Sequence, residues 1–133
     1  MTPAAIAFML GDTSPEVLDE LRARMLRWAD QRDDAQPMNR MLALGTARST
    51  RLALRDALLV EASELLAGSR WSKCCELAKL GGEFNDRRYR SWKNQGIPSI
   101  ASAVELLVYR AADIGEGLPE SPEHYLRILP VPV

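Results

Sequence analysis

The side chains best suited to chemistry in this 133-residue chain lie in one short basic segment. Residues 69–95 hold seven lysines and arginines against three acidic residues, a local charge of +4 in a chain whose net charge is −1. An arginine can donate two hydrogen bonds to a guanine edge, and both basic residue types contact backbone phosphates. A basic patch confined to one stretch of the chain therefore predicts a nucleic-acid-binding surface.

The helical period sorts the polar residues of this segment into two predicted roles. Tyr89 and Trp92 are three residues apart, share one helix face and are expected to pack inward. The residues expected on the outer surface, within reach of base edges, are Arg87, Arg88, Ser91 and Asn94. The residues predicted to contact phosphates are Lys73, Lys79, Arg90, Lys93 and Gln95.

The rest of the chain offers little for catalysis or metal binding. His124 is the only histidine, which excludes a histidine dyad. Cys74 and Cys75 are adjacent, a spacing that suits neither a structural disulfide nor a metal site and that fits a reducing cytosol. We expect Cys74 or Cys75 to be a small buried hydrophobe. The pair Gly81-Gly82 lacks the Gly-Lys-Ser/Thr that completes a phosphate loop. We therefore predict a protein that is not an enzyme and uses no cofactor and no metal.

The elements that position these residues are expected to be helical throughout, which predicts an all-α fold. Apolar residues recur at spacings of three and four, and no alternating β-branched run occurs before the last dozen residues. Caps and breakers predict helices over residues 3–10, 15–31, 38–44, 50–67, 73–80, 86–94 and 99–112, a linker at 33–37, a short helix around His124 and an extended end from 128.

Within the basic segment, caps and glycines predict a helix, a sharp turn and a second helix. Ser72 is expected to cap the first helix. Gly81-Gly82 is expected to supply the positive φ angles that a tight turn between two packed helices requires. Phe84 follows as a predicted core residue, and Asn85 or Asp86 is expected to cap the second helix.

The second helix is expected to end at Gly96 and to be followed by a supporting helix. Ile97 is predicted to turn inward, and Pro98-Ser99 to start the supporting helix. The apolar stripe predicted for that helix consists of Ile100, Val104, Leu107, Val108 and Ala111.

This arrangement resembles the helix-turn-helix of the phage Cro/repressor superfamily, over residues 72–112. In that family a small residue lets the helices cross closely, a glycine makes the turn, two large apolar residues anchor the recognition helix, and a tryptophan precedes a Gly-x-Pro-like exit. The residues that match are Ala78, Gly81 or Gly82, Tyr89, Trp92 and Gly96-Ile97-Pro98. The interval from Ala78 to Trp92 is 14 residues, one longer than in the most compact members, which predicts a longer turn.

The resemblance implies a recognition helix at about residues 86–94 that enters the major groove of double-stranded DNA. The helix-turn-helix would span 72–95 and be backed by the helices at 50–67 and 99–112. The implied function is that of a sequence-specific transcriptional regulator, such as a repressor, of phage or bacterial type. Because one such helix reads only a few base pairs, a homodimer on a palindromic site is predicted.

Charge and composition divide the chain into three predicted parts. Residues 1–35, with a net charge of −3, are expected to form a helical arm for dimerisation or for docking a protein partner. Residues 38–115 are the predicted DNA-binding domain, and 116–133 a C-terminal tail. The apolar runs are too short for a membrane span, and no basic stretch precedes the first apolar segment, so we expect a cytoplasmic protein without a membrane partner.

Two other functions compete with transcriptional regulation. The acidic ends and the net charge favour a protein-interaction module, such as a phage inhibitor or an antitoxin, that keeps the helix-turn-helix shape but docks on a protein. A phage packaging or replication component would bind DNA for assembly and would form a ring or a higher oligomer. Loss of DNA affinity with rising salt separates a DNA-binding protein from a docking module.

Overall fold

Local caps and helix-forming runs make most of the described chain helical. The computed structural model describes residues 3–29 and 46–131, and within these ranges every regular element is a helix, which confirms the all-α class. The elements are α1 (Pro3–Met9), α2 (Pro15–Ala29), α3 (Ala47–Glu64), α4 (Arg70–Glu83), a π-helical segment (Phe84–Arg88), α5 (Tyr89–Gln95), α6 (Ala103–Asp113) and α7 (Pro122–Ile128). The predicted linker at 33–37 and helix at 38–44 lie outside the described residues.

The chain divides into two units, Met1–Leu54 and Arg55–Val133, with the boundary inside α3. In the first unit, α1 and α2 form a helical hairpin whose turn contains Gly11, at a φ of +100°. The predicted starts of both helices are confirmed, since α1 begins at Pro3 and α2 at Pro15. The buried residues between them are Ala4, Ala5 and Leu21, with Val17 packed alongside.

Polar caps place three helix starts differently from the prediction. Thr46 accepts a hydrogen bond from the Ser49 amide at 3.1 Å, so α3 starts at Ala47 and not at residue 50. Ser69 accepts one from the Ser72 amide at 3.1 Å, so α4 starts three residues before the predicted Lys73. A capping box of Ser102 and Glu105 starts α6 at Ala103, four residues after the predicted start at residue 99.

The sharp turn predicted at Gly81-Gly82 is wrong. Both glycines are helical, and neither has a positive φ angle. The backbone stays helical from Arg70 to Gln95, because a π-helical turn joins α4 to α5 where a helix-turn-helix would break. The Tyr89 amide donates to the Phe84 carbonyl five residues back, the bond that defines a π turn. The longer interval between Ala78 and Trp92 is thus taken up inside a helix.

The second unit is built around α4. Helix α7 packs along α4, and α6 packs against α4, the π-helical segment and α5. Its largest fully buried side chains are Tyr125, Phe84, Leu59, Leu77, Val108 and Cys74. The predicted core residue Phe84 is confirmed, and of the two cysteines Cys74 is buried and Cys75 is half-buried. No helix in the described ranges is long and apolar enough to cross a bilayer.

The C-terminal residues predicted as a tail are an integral part of this unit. Tyr125 on α7 is fully buried, and its hydroxyl donates to the Pro119 carbonyl at 3.0 Å. The Arg70 guanidinium on α4 donates to the carbonyl oxygens of Leu126 and Leu129, which lie at the C-terminal end of α7. Residues 116–131 therefore hold α4 in place, and the predicted helix around His124 is confirmed.

Candidate nucleic-acid interface

A polar stripe runs along the outer side of α5 and the end of the π-helical segment. Arg87, Arg90, Ser91 and Asn94 are all exposed, and their spacing puts them on one side of the helix. Within the described part of the chain, Arg90 donates to the Asp86 carbonyl at 3.2 Å, and the other three side chains have no hydrogen bond or ion pair. We call these four residues the polar stripe. Three of them are among the residues predicted to reach base edges.

An aromatic cluster on the opposite side of the helix holds the polar stripe outward. Trp92 is 7% exposed and meets Phe84 edge to face, with ring centroids 5.0 Å apart. Tyr109 on α6 packs against Trp92 at 5.4 Å and against Tyr89 at 5.6 Å. The predicted inward packing of Tyr89 and Trp92 is therefore confirmed, with Tyr89 only half-buried.

Arg88, predicted to reach base edges, lies on the inner side of the helix instead. Its guanidinium is 2.9 Å from Glu105 Oε2 and 3.4 Å from Glu83 Oε2. The same group lies over the Phe84 ring, 5.3 Å from the centroid. The position follows from the helical period, because Arg88 precedes the buried Trp92 by one turn. Arg88 thus joins the basic helix to α4 and α6 and is not available to DNA in this arrangement.

Glu105 is held as a carboxylate by the groups around it. The backbone amide of Ser102 donates to Oε1 at 3.0 Å and is the main cause of a lowered Glu105 pKa. The Ser102 hydroxyl and the Arg88 guanidinium lower that pKa further, against the effect of burial. The carboxylate therefore stays charged and keeps its pairing with Arg88.

Lys93, predicted to contact phosphate, also has a partner within the unit. Its Nζ lies 3.1 Å from Asp113 Oδ1, and the Tyr89 hydroxyl donates to the same oxygen at 2.8 Å. These two hydrogen bonds lower the pKa of Asp113, that from Tyr89 most strongly. The bonds to Asp113 raise the pKa values of Tyr89 and Lys93. Lys93 is still partly exposed, but its charge is balanced locally.

The remaining predicted phosphate contacts are not brought to one face. Lys79 is exposed and lines a groove of about 350 Å³ together with Glu76 and Glu83. Lys73 is half-buried and lies on a different side of α4, since six residues turn a helix by about 240°. Gln95 is exposed at the last position of α5, next to Gly96 at a φ of +94°. Of these three, only Gln95 lies near the polar stripe in sequence.

Two residues that hold the π-helical segment and α5 in place, Asn85 and Glu105, were not predicted from the sequence to have this role. Asn85, predicted as a cap, lies in the π-helical segment and exchanges two hydrogen bonds with the Leu118 backbone, at 2.8 and 3.1 Å. No local pattern signals this contact, because the partners are 33 residues apart. Glu105 had a signal, since Ser102-x-x-Glu105 is a capping-box pattern.

The loop after α5 departs from the prediction as well. Ile97, expected to turn inward, is 48% exposed, and Ile100, expected on a helix stripe, is 91% exposed. Both precede the capping box and therefore lie outside α6. The predicted inward residues of α6 proper are confirmed, since Leu107, Val108 and Ala111 are buried and Val104 is half-buried.

Over residues 3–29 and 46–131, no three His, Cys, Asp or Glu side chains come together in a group that could hold a metal ion. The candidate interface is the polar stripe, which Phe84 and Trp92 support from the opposite side of the helix. Comparisons with models of known protein families, with curated proteins and with solved structures found no match to this chain.

Proposed function

We propose that this protein is a sequence-specific DNA-binding protein that reads the major groove with the polar stripe of α5. The observation that carries the proposal is the stripe itself: Arg87, Arg90, Ser91 and Asn94 are exposed on one side of a helix whose other side is anchored by Trp92. Recognition of base edges needs hydrogen-bond donors and acceptors on a rigid surface. A mismatched base pair then loses hydrogen bonds, because a rigid helix cannot shift to form others in their place.

The chemistry of the stripe suits base edges. Arginine pairs with guanine and asparagine with adenine through two hydrogen bonds each, and serine can pair with either. From Arg87 to Asn94 the helix rises about 10 Å, at about 1.5 Å per residue. Since base pairs are spaced by about 3.4 Å, the stripe would cover three or four of them.

The positive charge of residues 84–95 also favours binding to a polyanion such as DNA. Residues 84–95 contain four basic side chains and a single carboxylate, that of Asp86. Arg88 and Lys93 are paired within the protein, so Arg87 and Arg90 would supply the charge that meets DNA. The contact would be smaller than the sequence predicts, and its salt dependence correspondingly shallower.

A site of three or four base pairs is too short for tight, specific binding by one copy. We therefore propose a homodimer that binds a palindromic site, acting as a transcriptional regulator of bacterial or phage type in the cytoplasm. The phage Cro/repressor resemblance supports DNA binding only through the aromatic anchors and the glycine exit, because the turn that defines a helix-turn-helix is replaced by a π-helical turn.

Selection of bound duplexes from a random DNA pool, with the full chain, tests the proposal. We expect enrichment of a palindrome whose half-sites are three or four base pairs long, with affinity that falls as salt rises. The Asn94→Ala variant should relax the preference at one position of each half-site and leave the others unchanged. Recovery of no sequence preference, or of equal affinity for every duplex, would overturn the proposal.

A second candidate function is docking on another protein, and one observation favours it. Ile100 is almost fully exposed and borders a groove of about 200 Å³ that is also lined by Trp92, Pro98 and Ala101. Exposed apolar side chains beside a groove are typical of protein-binding surfaces. An Ile100→Ser variant that keeps full DNA affinity but loses a protein partner would favour this function. Weak DNA binding at every salt concentration would favour it too.

A further inference from the structure

The four residues of the polar stripe do not all face the same way. At about 100° per residue, Arg90 lies about 40° to one side of Asn94, and Ser91 about 60° to the other side. Arg87 precedes Asn94 by seven residues, nearly two turns, and therefore faces a direction between those of Ser91 and Asn94. Arg87 and Asn94 thus lie closest to the middle of the stripe, the part that would enter a groove most deeply.

Arg90 is held differently from Arg87. The Arg90 guanidinium donates to the Asp86 carbonyl at 3.2 Å, which draws it back along the helix at the edge of the stripe. The Arg87 side chain is exposed and has no hydrogen bond or ion pair with any other described residue. In a major groove, a side chain at the edge of a helix lies beside the sugar-phosphate backbone, whereas one in the middle faces the base edges. Arg90 is therefore placed for a phosphate and Arg87 for a base.

The two central side chains prefer different bases. The arginine fork of Arg87 presents two donors, which match the N7 and O6 acceptors of guanine. The Asn94 amide presents one donor and one acceptor, which match N7 and the N6 amino group of adenine. The Ser91 hydroxyl both donates and accepts, so it can meet several bases. Within the stripe, Arg87 and Asn94 are therefore the residues that can impose a base.

The distance between the two central residues sets the distance between their bases. The helix rises about 10 Å from Arg87 to Asn94. Neighbouring base pairs are about 3.4 Å apart along the duplex axis, and a helix that follows the major groove is inclined to that axis. The two bases would therefore lie two or three base-pair steps apart. The one or two base pairs between them would face Ser91.

We propose that Arg87 and Asn94 specify the DNA half-site, as a guanine and an adenine two or three base-pair steps apart, while Arg90 contacts a phosphate. This inference rests on the proposed function and deepens it, because it names the sequence class of the duplex and divides the stripe into two roles. The base pairs between the guanine and the adenine carry little preference.

Exchanging the two base preferences tests the assignment in the full chain. Glutamine pairs with adenine as asparagine does, so Arg87→Gln should replace the guanine of the selected half-site by adenine and leave the other positions unchanged. Asn94→Arg should replace the adenine by guanine in the same way. A new preference cannot result from unfolding, and circular dichroism checks that each variant keeps its helix content.

The double variant Arg87→Gln/Asn94→Arg is the sharpest form of this test. It has the same net charge as the unchanged chain, so its general attraction to DNA is matched. We expect its half-site to carry adenine and guanine in the reversed order. In a competition gel shift, the unchanged chain should favour its own site over the reversed site by at least about tenfold, and the double variant should show the opposite preference of similar size.

Arg90 is tested by affinity instead of base preference. Arg90→Ala should weaken binding to every duplex by the same factor, keep the selected half-site and reduce the salt slope by about one. Arg90→Lys keeps the charge and should keep the slope. A change in the selected bases on Arg90→Ala would overturn the phosphate role.

The outcomes separate this assignment from the proposed function. If the unchanged chain selects a half-site without the guanine and adenine at this spacing, the assignment is wrong and DNA binding by the protein stands. A half-site that stays the same in the double variant would also overturn the assignment alone. If the unchanged chain selects no sequence at all, the proposed function is overturned, and the assignment with it.

Discussion

Gly81 packs directly against the backbone of Pro119, so closely that a Cβ on Gly81 would lie 2.2 Å from the Pro119 carbonyl oxygen. The same Cβ would be 3.0 Å from the Tyr125 hydroxyl. That hydroxyl donates to the Pro119 carbonyl, so the glycine, the loop and α7 meet at one point. The glycine is required for this close approach, and not for a turn.

We expect Gly81→Ala to lower the free energy of unfolding by about 1–3 kcal/mol, because the loop at Pro119 must move away from α4. Gly82→Ala is the matched control. Its Cβ would meet only the flexible end of Glu120, at 3.2 Å, and alanine favours the helix by about 0.5–1 kcal/mol over glycine. Urea denaturation of both variants checks the difference. Equal stability of the two would contradict the close packing at Gly81.

Asn85 is exposed, but we expect it to contribute more to the free energy of unfolding than an ordinary exposed side chain. Its amide accepts from the Leu118 N–H and donates to the Leu118 carbonyl, and Leu118 is buried. We expect Asn85→Ala to cost about 1–3 kcal/mol, because two backbone groups lose their partner. Asn94→Ala, at an exposed position without a hydrogen bond, should stay within about 0.5 kcal/mol of the unchanged chain. A thermal or urea melt that ranks them the other way would contradict the assignment.

Neighbouring arginines should separate DNA binding from stability. Arg87→Ala removes an exposed side chain, so we expect stability within about 0.5 kcal/mol of the unchanged chain but specific DNA binding weaker by about 1–3 kcal/mol. Arg88→Ala breaks the contacts with Glu105 and Glu83, so we expect it to lower the free energy of unfolding by about 1–3 kcal/mol.

Gel-shift titration and urea denaturation, run on the same preparations, distinguish the two effects. Arg88→Lys serves as a control, since it keeps the charge but not the planar group that lies over Phe84. If Arg88→Ala reduced DNA affinity while its stability stayed unchanged, Arg88 would have to leave Glu105 in order to reach DNA.

Stability should fall in acid partly through Asp113. Because hydrogen bonds from Tyr89 and Lys93 lower its folded pKa, the carboxylate stabilises the fold above its unfolded pKa, near 4, and this contribution is lost as the pH falls through the lower folded value. We therefore expect Asp113→Asn to be less stable than the unchanged chain at about pH 7, and this difference to shrink as the pH falls below about 4. The pH dependence of the urea midpoint measures this. A difference that persists in acid would point to a packing effect.

Helix content and much of the core could be predicted from the sequence, because periodicity and caps are local. The burial of Trp92 and Val108 follows from spacing alone. The helical conformation of residues 81–82 could not be predicted, since a glycine pair is equally compatible with positive φ and with close packing. Its environment, the Pro119 carbonyl, comes from 38 residues farther along the chain.

The candidate site, like the fold, could be predicted where it depends on the helical period and not where it depends on packing between helices. The helical period places Arg87, Ser91 and Asn94 on the outside, as the structure has them. The same period is compatible with Arg88 on the inner side, because Arg88 precedes Trp92 by four residues. The pairing of Lys93 with Asp113 depends on how α5 packs against α6, which no local pattern encodes.

The π-helical turn at residues 84–88 accommodates one more residue than an α-helical turn, because its hydrogen bond spans five residues instead of four. Deleting one residue within that turn would therefore convert it to ordinary α-helix and leave the residues after it facing nearly the same way relative to α4. The same deletion in the regular part of α4 or α5 would rotate the following residues by roughly 100°. The turn is thus the one place in this helix where the loss of a single codon would preserve the direction of the guanidinium groups.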